Sequence, residues 1–233
     1  MKLYLLRGDL DFHWLRPADD AIWRARGGVR VAVPWREPKL ALSANETGTE
    51  FLPVDCLPMN TGCDGPILSG FAQDALAGLI GPAGEFWPVD VLGFRYWWFN
   101  CLATVDALDA DSTDAEWSVV DGDWGAIRWI TAPRRLAFRP VHVASAPAMF
   151  RVPEFPQGVL FVGDAVEQAI RLHGLTGFRL DLVWSSAEGG VRDPAGFGFG
   201  GVFEGPSPDE LARKRAWARA ALRERTAQPR DER

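Results

Sequence analysis

The chain has 233 residues, of which 47% are hydrophobic and 24% charged, and its formal net charge is −6 at pH 7. This length and balance are ordinary for a globular protein with a sizeable core. The negative charge disfavours unaided binding to nucleic acid or to an anionic membrane, because both need clustered Lys and Arg. A basic protein is the partner that this charge favours.

The opening residues are typical of a strand and not of a targeting segment. The apolar run at 3–6 is too short for the apolar region of a secretory signal and has no small-residue cleavage site after it. No later stretch approaches the roughly 20 apolar residues that cross a bilayer. We therefore expect a cytoplasmic protein.

The N-terminal half predicts short strands and two helices. Strands are expected at 3–6, 29–33 and 39–42, with a short helix at 17–26 that ends before two glycines. After a turn at 64–66, apolar residues recur at helical spacing from Leu68 to Ile80, and Gly81-Pro82 ends this helix. Aromatic-rich strands follow at 86–91 and 94–102, joined by a tight turn at Gly93.

The middle of the chain predicts an antiparallel sheet. Strand-like runs lie at 117–120, 126–130 and 136–143, and Asp-Gly and Ala-Pro-Arg turns separate them.

Residues 159–184 predict a strand, a helix and a second strand. Asp164 and Glu167 have the spacing of a capping box, and Gly174 followed by Leu175 is typical of a Schellman C-cap. Beyond the Gly-Leu-Thr-Gly-Phe turn the period changes to two, so Phe178, Leu180, Leu182 and Trp184 are expected on one face of the second strand.

A last helix is expected from Ser207, with Pro208 and Glu210 in its first turn, to about residue 223. Its apolar stripe is narrow, so it is expected to dock weakly on the body or to project from it. The prediction is an α+β fold with a mixed or mostly antiparallel sheet, three or four helices and a C-terminal helical extension. We divide the chain into one domain at 1–205, the C-terminal helix at 206–225 and a disordered tail at 226–233.

A search for reactive groups indicates no enzyme. His13, His142 and His173 have no partner at metal-ligand spacing, and Cys56, Cys63 and Cys101 fit neither a disulfide framework nor a zinc site. Buried, reduced thiols and structural histidines are expected, and a Cys101–His142 pair has nothing in the sequence to bring it together. We predict no metal and no cofactor.

One literal nucleotide-binding motif is rejected. Gly196, Gly198 and Gly201 satisfy G-x-G-x-x-G, but no clear strand precedes them and no helix opens after them. A pyrophosphate loop depends on that helix N-terminus. The role of the Gly- and Phe-rich segment at 196–203 stays open.

Three blocks of sequence resemble a known family. They are GPILSGFAQDALAGL with EFWPVDVL (65–92), YWWFNCLATVDALDADST (96–113) and the strand-helix-strand with its GLTGF turn. Together with Met149-Phe150-Arg151 they are similar to the immunity-protein family numbered eleven of bacterial polymorphic toxin systems, over about residues 33–184. The residues that match its pattern are Ser69, Pro88, Asn100, Leu108, Asp109, Ser112, Gly174, Thr176 and Gly177.

The resemblance implies a small cytosolic antidote that binds and neutralises a cognate toxin without an enzymatic step. The family has no catalytic residues to transfer to this chain. Most of the matching residues also have plain structural interpretations, in turns, caps and strand ends.

An acidic stretch is the predicted toxin-binding surface. Residues 105–125 carry a charge of −7 with no Lys or Arg, and two tryptophans lie among the acids. Such a surface steers a basic, nuclease-like toxin, and tryptophan is a frequent hot spot. The alternative is a solvated loop with turn aspartates. The predicted contact residues are Asp106, Asp109, Asp111, Asp114, Glu116, Trp117, Asp121, Asp123 and Trp124.

A second hypothesis is a small-ligand-binding or housekeeping domain. Its pocket would be lined by the aromatic run Trp97, Trp98 and Phe99. An exposed acidic ridge favours the toxin-binding hypothesis, and a closed aromatic cavity favours the ligand-binding one. The toxin's identity and the oligomeric state stay open.

Overall fold

The computed structural model is an α+β fold, as predicted. It describes residues 1–8, 15–17, 28–31, 34–42, 51–57, 65–122, 125–155, 159–191 and 207–227. In chain order the elements are β1 (Lys2–Gly8), β2 (Leu15–Pro17), β3 (Lys39–Leu42), β4 (Cys56–Leu57), β5 (Ile67–Ser69), α1 (Gly70–Ile80), β6 (Gly84–Val91), β7 (Phe94–Cys101), β8 (Asp114–Gly122), β9 (Gly125–Arg135), α2 (Pro140–Ser145), β10 (Met149–Phe150), β11 (Leu160–Gly163), α3 (Asp164–Leu172), β12 (Phe178–Ser185), β13 (Gly189–Gly190) and α4 (Pro208–Ala227). The described residues thus contain four α-helices, within the predicted number.

Two sheets form the body, and a separate two-stranded ribbon stands beside them. The first sheet has the order β10-β11-β1-β12-β13 and is antiparallel throughout. The second has the order β2-β3-β6-β7-β5-β4 and contains one parallel pair, β3 with β6. The ribbon is β8 with β9. The predicted mixture of mostly antiparallel pairing is confirmed.

Helices α1 and α3 pack against each other between the two sheets. Helix α1 lies on β5 and β7 of the second sheet, and α3 lies on β1 and β11 of the first. Each helix buries side chains one turn apart: Ala72, Leu76 and Ile80 in α1, and Val166 and Ile170 in α3. These side chains join one apolar cluster with residues from both sheets, so burial of the helix stripes holds the two halves together.

The outer faces of the two sheets have their own cores. Successive residues of β1 point into different clusters: Leu5 faces the ribbon and α2, whereas Leu6 faces α3. In the second sheet, Trp98 faces the outer cluster that also contains Ala218 of α4. Helix α4 therefore docks on the second sheet through a small buried side chain.

The sequence predicted a cap at each end of α3, and the structure confirms only the C-terminal one. Gly174 has φ +57°, its amide donates to Arg171 O, and the Leu175 amide donates to Ile170 O, so the predicted Schellman C-cap is confirmed. The predicted capping box is wrong: the N-cap is Gly163, with no side-chain cap. The Asp164 carboxylate instead accepts from the amide of Lys2 at 3.0 Å, because β1 lies beside this helix end.

The predicted single apolar face of β12 is also wrong at one residue. Leu3 of β1 pairs with Trp184 and Tyr4 pairs with Leu182, so Val183 forms a bulge. Leu182 and Trp184 therefore lie on opposite faces. Trp184 packs in the cluster under the ribbon, whereas Leu180 packs against the helices.

The segment 136–143 is not the predicted strand. Pro140 opens helix α2, which contains His142, and the Ala-Pro-Arg sequence lies inside β9 and not in a turn. Pro140 suits the first helical position because its fixed φ and missing N–H cost nothing there. Pro133 is tolerated in β9 beside a register shift, where it pairs with Ala115.

Several other boundaries differ from the predictions. Leu68, the predicted start of α1, belongs to β5, so α1 begins two residues later. Pro17, the predicted start of a helix, belongs to β2. Val29 and Val31 are not in the strand predicted at 29–33. Residues 18–27 and the segment at 196–203 lie outside the described residues. The predicted strands at 3–6, 39–42, 86–91 and 94–102 are confirmed, except that Leu102 lies just beyond β7, and Gly93 turns with φ +86°.

The C-terminal helix begins as predicted. Ser207 Oγ accepts from the Glu210 amide at 3.3 Å, which caps the first turn of α4. The helix continues to Ala227, beyond the predicted end, so its last two residues are not a disordered tail. The division of the chain into a domain, a helix and a tail stays a prediction in its other respects.

Candidate functional site

The predicted contact residues lie on the ribbon and on the loop that leads into it. We call this region the hairpin surface: the loop 106–113 together with β8 and β9. Asp106 and Asp111 are exposed on the loop, and Asp114 and Glu116 are exposed on β8. Asp121 is also on β8, whereas Asp123 and Trp124 lie outside the described residues.

The hairpin surface is less acidic than residues 105–125 alone suggest. Arg134 of β9 forms ion pairs with Asp114 at 3.0 Å and with Glu116 at 3.2 Å. Arg139, at the start of α2, pairs with Asp106. Arg134 and Arg139 lie outside residues 105–125, so the charge of that stretch does not include them. The acidic residues therefore belong to a mixed surface, and not to the purely acidic ridge that would favour the toxin-binding hypothesis.

Two of the remaining residues have well-defined local roles. The Asp109 carboxylate accepts from the amide of Ser112, and a hydrogen bond from the Ser112 hydroxyl is the main cause that lowers the pKa of Asp109. Thr113 Oγ1 donates to the Asp109 carbonyl at 2.7 Å. Asp109 and Ser112 thus shape the turn, as their residue types suggested.

Trp117 carries a cation on its ring. The guanidinium carbon of Arg128 lies 3.9 Å from the centre of the Trp117 ring, and the ring itself is half-buried against the cluster under the ribbon. A tryptophan stacked with arginine in this way presents both an apolar and a charged surface. Nearby Val119 is 60% exposed.

The base of the ribbon contains a half-buried carboxyl group. The Ile130 amide of β9 donates to the Glu154 carbonyl at 2.9 Å, which ties the ribbon to the body. Burial raises the pKa of Glu154, with a smaller effect from Asp106, whereas Arg139 and Arg128 oppose the shift. Its Oε2 atom has no hydrogen-bond partner among the described residues.

The aromatic run that defined the ligand-binding hypothesis is part of the core. Trp98 and Phe99 are fully buried; Trp98 stacks on Trp35 at 5.9 Å, and Phe99 packs 4.9 Å from Phe86. Neighbouring rings therefore occupy the contacts that a ligand would need. Trp97 lies on the opposite face of β7 from Trp98, beneath Arg95.

Histidine and cysteine side chains have structural surroundings. His142 Nδ1 lies 2.5 Å from the Asp106 carbonyl oxygen, and His173 meets the ring of Phe71 edge-on at 6.3 Å. Cys56 and Cys101 are buried, and burial raises the pKa of Cys101 to about 11. His13 and Cys63 lie outside the described residues. Within the described ranges, no three His, Cys, Asp or Glu side chains are close enough to hold a metal ion.

A buried polar cluster joins three elements, and the sequence did not reveal its centre. Asp55 Oδ1 accepts from Ser69 Oγ at 2.8 Å, and its Oδ2 accepts from the amide and hydroxyl of Thr176 at 2.7 and 2.8 Å. Ser69 Oγ in turn accepts from the Ala72 amide at the start of α1. Asp55 is 3% exposed, so these bonds satisfy a buried carboxylate.

Gly177 adjoins this cluster and permits the close approach of two chain segments. It has φ +78°, and a Cβ atom there would lie 2.3 Å from the Cys56 carbonyl oxygen. Ser69, Thr176 and Gly177 belong to the residues that matched the family pattern. Their shared task is to join α1 to the turn before β12.

Comparison with protein-family models identifies the segment that contains the ribbon. Residues 85–184 match the immunity protein family Imm11. The match confirms the resemblance for residues 85–184 of the predicted range 33–184, and Ser69 and the block at 65–84 lie outside it. It runs from β6 to β12 through the whole hairpin surface. Among curated proteins nothing matches the chain.

The Imm11 match suggests a toxin-neutralising immunity role and implies a cognate toxin as partner. The family is generally non-enzymatic. The match includes Thr176 and Gly177 but not Asp55 or Ser69. The described residues include no helix that is both long and apolar enough to cross a membrane.

Proposed function

We propose that this chain is a non-enzymatic immunity protein that binds and neutralises a cognate bacterial toxin in the cytoplasm. The match of residues 85–184 to Imm11 is the observation that carries the proposal. The hairpin surface supports it further, because it lies within that segment and stands outside the two sheets. An inhibitor needs a rigid, exposed surface more than it needs a pocket.

We place the toxin contact on the hairpin surface. Trp117 under Arg128 supplies an aromatic anchor, and the exposed Val119 supplies apolar area beside it. Asp111 is exposed and has no cation at ion-pair distance within the described residues. A basic, nuclease-like toxin fits this surface, since its Lys and Arg side chains would meet Asp111 and compete with Arg134 for Asp114.

Rescue of growth tests the function. The chain should be co-expressed with the C-terminal toxin domain encoded by the neighbouring upstream gene, and survival should be compared with that of cells carrying the toxin alone. We expect survival to depend on the chain. Continued killing, with the chain present as soluble protein, would refute the immunity function.

Charge reversal tests the surface. Asp111→Lys changes the charge without removing an ion pair, whereas Asp114→Lys also removes one of the two ion pairs of Arg134. We expect Asp111→Lys to slow toxin association by about tenfold at low salt, as measured by surface plasmon resonance. Asp74→Lys, an exposed site on α1, is the matched control and should leave the association rate unchanged. Equal rates for the Asp111 and Asp74 variants would remove this loop from the interface.

A further inference from the structure

We propose that the outer edge of β8 accepts an extended, arginine-bearing strand of the toxin, which would add a third strand to the ribbon. The inference rests on the immunity function proposed above and specifies how the partner is recognised. Addition of a strand to an exposed edge gives affinity through main-chain hydrogen bonds and specificity through side chains. Backbone direction, edge exposure and charge each support it.

A single hydrogen bond shows which backbone N–H and C=O groups of β8 point away from β9. The Ile130 amide donates to Glu154 O and therefore points away from β8. Its partner Trp117 must belong to the same non-hydrogen-bonded pair, so the Trp117 N–H and C=O also point outward. Because the register is regular from Trp117 to Gly122, Val119 points outward as well, whereas Ser118 bonds to Trp129.

The edge of β8 is the open one. Within the described part of the chain, β9 is the only strand paired with β8. The other edge of the ribbon is partly covered, since the turn around Glu154 bonds to Ile130. Outward amides and carbonyls on an exposed strand form a template for another strand.

Charge selects the kind of strand. β8 contains Asp114, Glu116 and Asp121 with no Lys or Arg, and β9 contains Arg128, Arg134 and Arg135 with no Asp or Glu. The protein thus already pairs its acidic strand with a basic one, through Arg134 with Asp114 and Glu116. Arginines of a toxin strand on the other edge would share or compete for these exposed carboxylates. Pairing of β8 with β8 of a second copy would oppose like charges, which is destabilising.

A synthetic peptide copying residues 125–135 (GAIRWITAPRR) is the probe. It should be added to the full ¹⁵N-labelled chain, and backbone amide exchange should be followed by NMR. We expect exchange at Trp117 and Val119 to slow by about tenfold or more, with little change at Ser118, which is already bonded. The assignment of this edge would be overturned if amide exchange did not slow at the highest soluble peptide concentration. Slower exchange at Arg128 and Ile130 instead would also overturn it.

Modified peptides separate backbone pairing from charge. N-methylation of the alternate peptide amides that face β8 should abolish the protection, and methylation of the intervening amides should preserve it. Replacement of all three peptide arginines by glutamate should also abolish it. Equal protection by both methylated peptides would rule out strand addition, and equal protection by the glutamate peptide would rule out selection by charge.

A pair of proline variants links the edge to toxin binding. Val119→Pro removes an outward N–H and should leave the ribbon intact, whereas Ser118→Pro removes a bond to β9 and should disrupt it. We expect Val119→Pro to retain its fold but to lose peptide protection and toxin rescue. If Val119→Pro rescues as well as the wild type, the edge inference fails while the immunity function stands. If the wild type itself does not rescue, the proposed function fails.

Discussion

Asp55 and Thr176 lie 121 positions apart in the chain and hold each other through both side chains and both backbones. The Thr176 amide and hydroxyl donate to Asp55 Oδ2, and the amides of Asp55 and Cys56 donate to the Thr176 carbonyl at 3.1 and 3.0 Å. This connects the start of β4 with the turn before β12. It therefore fixes the second sheet to the first at the level of the helix pair.

Removal of the Asp55 carboxylate should destabilise the protein strongly. Asp55→Ala leaves the Ser69 hydroxyl and both Thr176 donors buried without their acceptor, so we expect a loss of about 4 kcal/mol. Thr176→Val removes the bond from the hydroxyl to the carboxylate and the bond from the Asp55 amide to the hydroxyl, but that amide keeps the Thr176 carbonyl as its acceptor. The cost should therefore be only about 1.5 kcal/mol. Urea unfolding measures both values. Equal effects of the two substitutions would show that the carboxylate is not the centre of the cluster.

The two positive-φ glycines of the GLTGF turn should respond differently to alanine. In Gly174→Ala the added Cβ lies in open space, so the substitution should lower the free energy of unfolding only through the left-handed backbone, by about 1 kcal/mol. Gly177→Ala adds a collision with the Cys56 carbonyl, so we expect about 3 kcal/mol or more. Thermal and urea unfolding of the two variants should show this order, and the reverse order would contradict the close approach.

Glu154 should make stability depend on pH. Its pKa in the folded protein is raised by burial above the ordinary value of 4.5, so its protonated form contributes stability at low pH that is lost as pH rises through the raised pKa. Glu154→Gln does not titrate. The variant should therefore gain stability relative to the wild type as pH rises from about 4 to 7. A constant difference across this range, measured by urea unfolding at each pH, would show that the carboxyl group is not desolvated.

The buried thiols should resist alkylation in the folded protein. The pKa of Cys101 is raised to about 11 by burial, and Cys56 is also fully buried, so little thiolate is present or accessible at neutral pH. Iodoacetamide followed by peptide mass spectrometry should modify Cys56 and Cys101 only after urea is added. Rapid modification of Cys101 under native conditions would contradict its position in the core.

Some features of the fold depend on residues a few positions apart, and the sequence predicted these well. The end of α3 is one example, because Gly174 adopts φ +57° and its neighbours complete the cap within one turn. The cap of α4 at Ser207 is another. The tight turn at Gly93 also depends on adjacent residues and was predicted correctly.

Predictions failed where a distant segment changed the local preference. Asp164 has the residue type and spacing of an N-cap, but its carboxylate accepts a hydrogen bond from the amide of Lys2 instead. Trp184 follows the two-residue spacing of apolar residues in β12, but the bulge at Val183 places its side chain on the opposite face from Leu182. The strand predicted at 136–143 is a different kind of error, because it overlooked a local signal, the preference of Pro140 for the first turn of a helix.

The sequence by itself determined the α+β class, the resemblance to an immunity family and the order of most elements, because periodicity, caps and short motifs are encoded by neighbouring residues. Only the tertiary structure decided that Asp55 is the centre of a buried cluster and that Arg134 and Arg139 neutralise much of the acidic surface. Hydrogen bonds and ion pairs act over a few ångströms in space. Their partners can lie anywhere along the chain, so residue types and local spacing do not specify them.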